Sequence, residues 1–105
     1  MIYLLNSPVL TSYGLWHFSG PVSRDGAREL LKNGFVSAIG HEASARFLTT
    51  QLGLDIPTNR MTANLSRGDQ ALVLRLHQRL PEGVILDEAA LEQVSWELSL
   101  LVRLE

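Results

Sequence analysis

The stretch FVSAIGHEASARFLTTQLG, residues 35–53, constrains the fold of this chain more than any other. FVSAI has the apolar character of a strand. After a single glycine, HEASARFLTTQL places Ala43, Phe47, Leu48 and Leu52 at helical spacing, and Gly53 supplies a stop. A strand that gives way to a helix within one residue has to lay that helix against the sheet, because each element has an apolar side to bury. The chain therefore reads as mixed α and β, of α/β (α+β) class.

The flanking segments fit that class. MIYLLN is a short apolar run ending in Asn6 and reads as a buried strand; after the turn-rich SPVLTSYG, LWHFSG is a second strand or a sheet edge. Ser23 is placed to cap a helix over RDGARELLKN, with Ala27, Leu30 and Leu31 as its apolar stripe and Asn33-Gly34 as its end. In the second half, NRMTANL and QALVLRLHQR flank the turn-forming residues Ser66 to Asp69, which predicts a hairpin. Asp87 caps a short helix, EAALEQV. The closing WELSLLVRLE puts Trp96, Leu98, Leu100, Val102 and Leu104 on one face, the alternation of a half-buried strand. The expected architecture is one domain over residues 1–105, with a mixed, mostly antiparallel sheet flanked by helices.

Composition narrows the function classes. A chain of 105 residues with 46% hydrophobic and 19% charged side chains can bury one core. The absence of cysteine excludes disulfides and thiolate chemistry. No apolar run approaches membrane-spanning length, and MIYLLN lacks the basic flank and cleavage site of a signal peptide, so a cytoplasmic protein without a membrane partner is expected. A formal charge of −2 argues against non-specific binding of duplex DNA but leaves room for a local anion site. Of the 9 basic residues only Lys32 is a lysine; the others are arginines, whose planar fork suits phosphate.

Two places could carry chemistry. Along QALVLRLHQR a period of two puts Leu72, Leu74 and Leu76 on one face, with Ala71, Val73, Arg75, His77 and Arg79 on the other. The Arg75, His77, Arg79 stripe is either a solvated outer face or a binding surface. Glu82 follows closely beside Gly83, where a carboxylate could orient an arginine or accept a proton. The second place is the strand-to-helix junction. Unsatisfied N–H groups at a helix N-terminus favour anions, Gly40 lets a ligand approach the backbone, and His41 either serves as an acid or base there or simply begins the helix. No cluster of histidines and carboxylates has metal-ligand spacing, so neither a metal nor another cofactor is expected.

YLLN, SAIGHEAS, Asn59-Arg60, GDQALVL and QRLPEGVIL occur in this order along most of the chain. In this the chain resembles a family of small archaeal-virus and bacterial proteins. That family includes viral ring nucleases acting as type III anti-CRISPR proteins, together with related CRISPR-associated ring nucleases. The resemblance implies a homodimer that binds the second messenger cyclic tetraadenylate across its two-fold axis and cleaves it without metal. It places the family's essential histidine on His41, its arginine and following glutamate on Arg79 and Glu82, its early asparagine on Asn6, and a hydroxyl of the helix's first turn on Ser44. Two departures stand out. Viral members read asparagine, alanine, phenylalanine, serine where this chain has Asn6-Ser7-Pro8-Val9, so either Ser7 or Thr11 supplies the missing hydroxyl or nothing does. Arg75 stands where those members carry glutamine. A non-cleaving protein that sequesters cyclic oligoadenylate, and a scaffold or DNA-contacting protein, are the rival readings.

Overall fold

The computed structural model describes residues 1–8, 10, 12–77 and 95–105. Its elements are β1 (Ile2–Leu5), β2 (Trp16–Ser19), α1 (Arg24–Leu31), β3 (Val36–Ser37), α2 (Glu42–Leu52), β4 (Gln70–Leu76) and β5 (Trp96–Arg103). The five strands form one sheet in the order β2-β5-β4-β1-β3. β1 pairs in parallel with β3 on one side, through Tyr3↔Val36 and Leu4↔Ser37, and with β4 on the other, from Ile2↔Gln70 to Leu5↔Val73. β5 runs antiparallel to both β4 and β2. It follows that β1, β2, β3 and β4 all point the same way.

Each face of the sheet has its own apolar cover. Leu4, Leu72, Leu74 and Leu98 pack against both helices, through Ala27 and Leu31 of α1 and Ala45, Phe47, Leu48 and Leu52 of α2. The Phe47 and Trp96 rings meet edge-to-face with centroids 5.2 Å apart, joining α2 to the start of β5. The opposite face carries Leu5, Ala38, Ala71, Val73 and Leu101, and is covered by Ala63 and Leu65 from the irregular segment that precedes β4.

Local chemistry sets the helix boundaries as expected. The Ser23 hydroxyl accepts the Gly26 N–H at 3.0 Å, satisfying one of the unpaired donors of α1. Gly53 adopts a left-handed φ of 67° and donates its N–H to the Thr49 carbonyl at 2.9 Å, a conformation that glycine enters at little cost. β2 is a strand and lies at a sheet edge. Among the described residues, no helix is long and apolar enough to cross a membrane.

Three expectations need correction. The turn at Ser66–Asp69 forms, with the Asp69 N–H donating to the Ser66 carbonyl at 2.9 Å, but it closes no hairpin because residues 59–65 are not a strand. Both edges of β4 are already taken by β1 and β5, so the preceding segment packs across a sheet face instead of along an edge. β5 is not half-buried: Leu98 on one face and Ser99 and Leu101 on the other are all buried, as its interior place between β2 and β4 requires. Strand pairing within FVSAI is limited to Val36 and Ser37. The helix expected after Asp87 and the end of the β4 run at Gln78 and Arg79 lie outside the described residues.

Phe47 is 1% exposed and links both helical and sheet layers. Phe47→Ala is expected to lower stability by about 3–5 kcal/mol in equilibrium denaturant unfolding, the usual cost of removing a buried aromatic.

Candidate functional site

The parallel pairing of β1 with β3 and β4 brings three chain segments to one edge of the sheet. Asn6 and Ser7, both exposed, follow β1; Gly40 and His41 lie beyond β3; His77 follows β4. In open α/β sheets the space beyond the carboxyl ends of parallel strands is where ligands bind, because successive connections leave there in opposite directions. At ordinary strand spacing, β3 and β4 stand about 10 Å apart across β1.

His41 is the residue from which α2 springs. Its backbone is extended, with φ −118° and ψ 118°, while its carbonyl already accepts the Ala45 N–H at 3.1 Å. The imidazole makes no capping hydrogen bond to the helix and is half-buried. Ser44, in the first turn, is buried at 6% exposure. The exposed Glu42 carboxylate lies 2.6 Å from Arg46 one turn along, an ion pair that offsets the negative charge at the positive end of the helix dipole.

The backbone before His41 is gripped by residues 57–60. The Asn59 N–H donates to the Ile39 carbonyl at 2.8 Å, and its side-chain amide donates to the Ser37 carbonyl at 2.7 Å. The Ser37 hydroxyl donates to the Pro57 carbonyl at 2.6 Å. Arg60 lies against Gly40, where an added Cβ would come within 3.3 Å of its Cγ, and its guanidinium donates to the Gly40 carbonyl at 3.3 Å. The glycine thus makes room for Arg60. Sequence reasoning did not single out Arg60 as a site residue; its signal was present, since Asn59-Arg60 is among the matching motifs, but only the fold sets this cation beside His41.

On β4, Arg75 does lie on the face carrying Ala71 and Val73, beyond the apolar cover. Its cross-strand neighbour is Glu97, whose carboxylate is 3.6 Å from the Arg75 guanidinium and 3.9 Å from His77 Nε2. Glu97 is a second residue that sequence reasoning passed over, because its position opposite Arg75 follows from strand register alone. The structure therefore brings Asn6, Ser7, Gly40, His41, Ser44 and Arg75 to one end of the sheet. Thr11, Arg79 and Glu82, with Val9, lie outside the described residues.

Comparison with known proteins fixes the family. The model of the STIV B116-like family matches residues 2–98. This chain belongs to the STIV B116-like family. Among its B116-like relatives, YddF of Bacillus subtilis is 35% identical over 107 residues, spanning 99% of this chain and 98% of YddF. Protein 26 of Sulfolobus islandicus filamentous virus is 38% identical over 103 residues, covering 93% of this chain and 87% of its own length. The B116 structure of Sulfolobus turreted icosahedral virus superimposes with a TM-score of 0.77 over 97% of this chain and 98% of that one, at 19% identity. The B116-like fold is thus shared by archaeal viruses and a bacterium.

Because the Arg75–Glu97 pair is solvent-facing, with the arginine side chain 63% exposed, it contributes little to folding. Arg75→Ala is expected to change stability by less than about 1 kcal/mol in urea unfolding. Any larger effect of the variant on ligand binding is then assignable to the site.

Proposed function

We propose that this B116-like chain is a metal-independent ring nuclease that binds cyclic tetraadenylate and linearises it, shutting off type III CRISPR signalling. One observation carries the reading: the histidine matched by the ring-nuclease resemblance, His41, begins α2 at the sheet edge to which Asn6, Ser7 and Arg75 also come. The likeness to ring nucleases in YLLN, SAIGHEAS and QRLPEGVIL supplies the substrate class. A homodimer suits such a ligand, since a symmetric ring can meet the same groups twice across a two-fold axis.

The reaction is attack of a ribose 2′-hydroxyl on its own 3′-phosphodiester. The 2′-oxygen–phosphorus bond forms, the phosphorus–5′-oxygen bond breaks, and the products carry a 2′,3′-cyclic phosphate and a 5′-hydroxyl. His41 gives its proton to the departing 5′-oxygen as the 2′-hydroxyl loses one to a base or to water. N–H groups of the first turn of α2, together with Arg79, stabilise the charge on the phosphorane, and Glu82 orients Arg79. Ser44, Asn6, Arg75 and either Ser7 or Thr11 contribute to holding the ring. Arg60 adds a cation next to Gly40. The dependence on a 2′-hydroxyl restricts the enzyme to RNA-type rings.

Incubation of the purified protein with labelled cyclic tetraadenylate in EDTA is expected to give linear products. Ring bound but unchanged would show a sequestering protein instead, and absence of binding would remove the ring as ligand. His41→Ala is expected to retain ring affinity while single-turnover cleavage falls about 10²–10⁴-fold, the range for loss of a general acid. Wild-type rates in that variant would take His41 out of the chemistry. Light scattering at micromolar concentration is expected to give the mass of a dimer; a monomer mass would contradict a site shared between two copies.

A further inference from the structure

We infer that Asn59 is a positioning residue for His41, doing the work of a missing strand at the open edge of the sheet. The assignment rests on the ring-nuclease reading of His41 given above. β3 is the outermost strand and pairs only over Val36 and Ser37, so its far side would expose carbonyl groups in the residues that lead to His41. Such an edge needs partners.

The chain supplies them at the point where it crosses from one face of the sheet to the other. Ile56 packs with the helix-side core, whereas Ala63 and Leu65 pack on the opposite face, so residues 57–62 pass around the β3 edge. At this crossing Asn59 binds two alternate carbonyls at once, Ser37 through its side-chain amide at 2.7 Å and Ile39 through its backbone N–H at 2.8 Å. A neighbouring strand would satisfy the same two groups with two residues. On the inner side, the Ala38 N–H donates to the Leu4 carbonyl at 2.9 Å. The backbone from Ser37 to Ile39 is therefore tied on both sides, and Arg60 extends the grip to the Gly40 carbonyl. The next residue is His41.

The side chain at 59 has to donate. Asparagine has an N–H to give to the Ser37 carbonyl; an ionised aspartate of nearly the same shape offers only acceptors and would repel it. Losing this bond frees the loop that sets where the imidazole begins, while Arg75 on β4 and the N–H groups of the first turn of α2 lie outside that loop. A displacement on the order of 1 Å at a reacting group costs about a hundredfold in rate. Asn59 thus acts on the catalytic step through His41 and leaves ring binding in place.

The test compares wild type with Asn59→Asp and Asn59→Ala, using circular dichroism to confirm folding. It reads single-turnover cleavage of cyclic tetraadenylate, ring affinity by calorimetry, and the His41 imidazole resonances by NMR. Both variants are expected to lose about ten- to a hundredfold in rate, to keep affinity within about threefold, and to show displaced His41 resonances. Wild-type rates with unmoved resonances in a folded variant would overturn the inference, as would equal losses in rate and affinity. If the wild-type protein does not cleave the ring, the ring-nuclease reading fails by itself; His41 resonances displaced in the variants then still support the positioning assignment, and unmoved ones overturn it. If both variants unfold, exchange of the Asn59 side-chain amide in the wild type decides, with protection supporting the latch and exchange at the rate of a free amide refuting it.

Discussion

The candidate site depends on the parallel pairing of β1 with β3 on one side and β4 on the other. Were either pairing antiparallel, Asn6, His41 and His77 would be divided between opposite ends of the sheet. The pairing is held by burial on both faces of β1: Leu4 turns to the helices and Leu5 to the opposite cluster. A one-residue slip would exchange those two environments and expose what is now covered, so register is strongly specified. The register of β1, on which the candidate site depends, rests on apolar packing that involves none of the site residues.

What was legible in the sequence is what local chemistry decides. Ser23 and Gly53 announce helix ends because a hydroxyl cap and a left-handed glycine act within four residues. The α/β class was legible in the succession of the apolar run FVSAI and the helical pattern after Gly40, although β3 itself ends at Ser37 and α2 begins at Glu42. The absence of a hairpin before β4 was not legible, because a turn signal at Ser66–Asp69 is silent about competition for edges. β5 pairs along all of β4 and β1 takes its other edge from Gln70 to Val73, where a hairpin partner would begin, so a local partner is excluded by pairings made with distant parts of the chain. The same limit explains the site. His41 and Gly40 could be read from a motif, and Arg75 from strand alternation. The contacts of Asn59 and Arg60 with the Ser37–Gly40 backbone, and of Glu97 with Arg75, exist only through tertiary pairing.

The overall formal charge of −2 says little about this edge of the molecule. Two exposed arginines, Arg60 and Arg75, stand on either side of the β1 terminus, and each is held loosely: one on the Gly40 carbonyl, the other 3.6 Å from Glu97. A phosphate entering here would meet guanidinium groups engaged in weak, solvent-exposed interactions, which are readily exchanged for charge-assisted bonds to an anion. Glu97 beside Arg75, and Glu42 with its own partner Arg46, limit the positive potential at this edge. They also bear on selectivity, since a ligand must offer enough negative charge to compete with them.

In this reading the ligand sits at the carboxyl edge of β1, β3 and β4. The most direct test of that placement is an NMR titration of the isotope-labelled protein with a cyclic tetraadenylate analogue lacking the attacking 2′-hydroxyls, so that binding is observed without cleavage. Amide signals of Asn6, Ser7, residues 40–44 and residues 75–77 are expected to move on saturation, while those of Gly34 and residues 68–70 at the other end of the sheet stay in place. Shifts confined to that other end, with the signals around His41 unmoved, would contradict it.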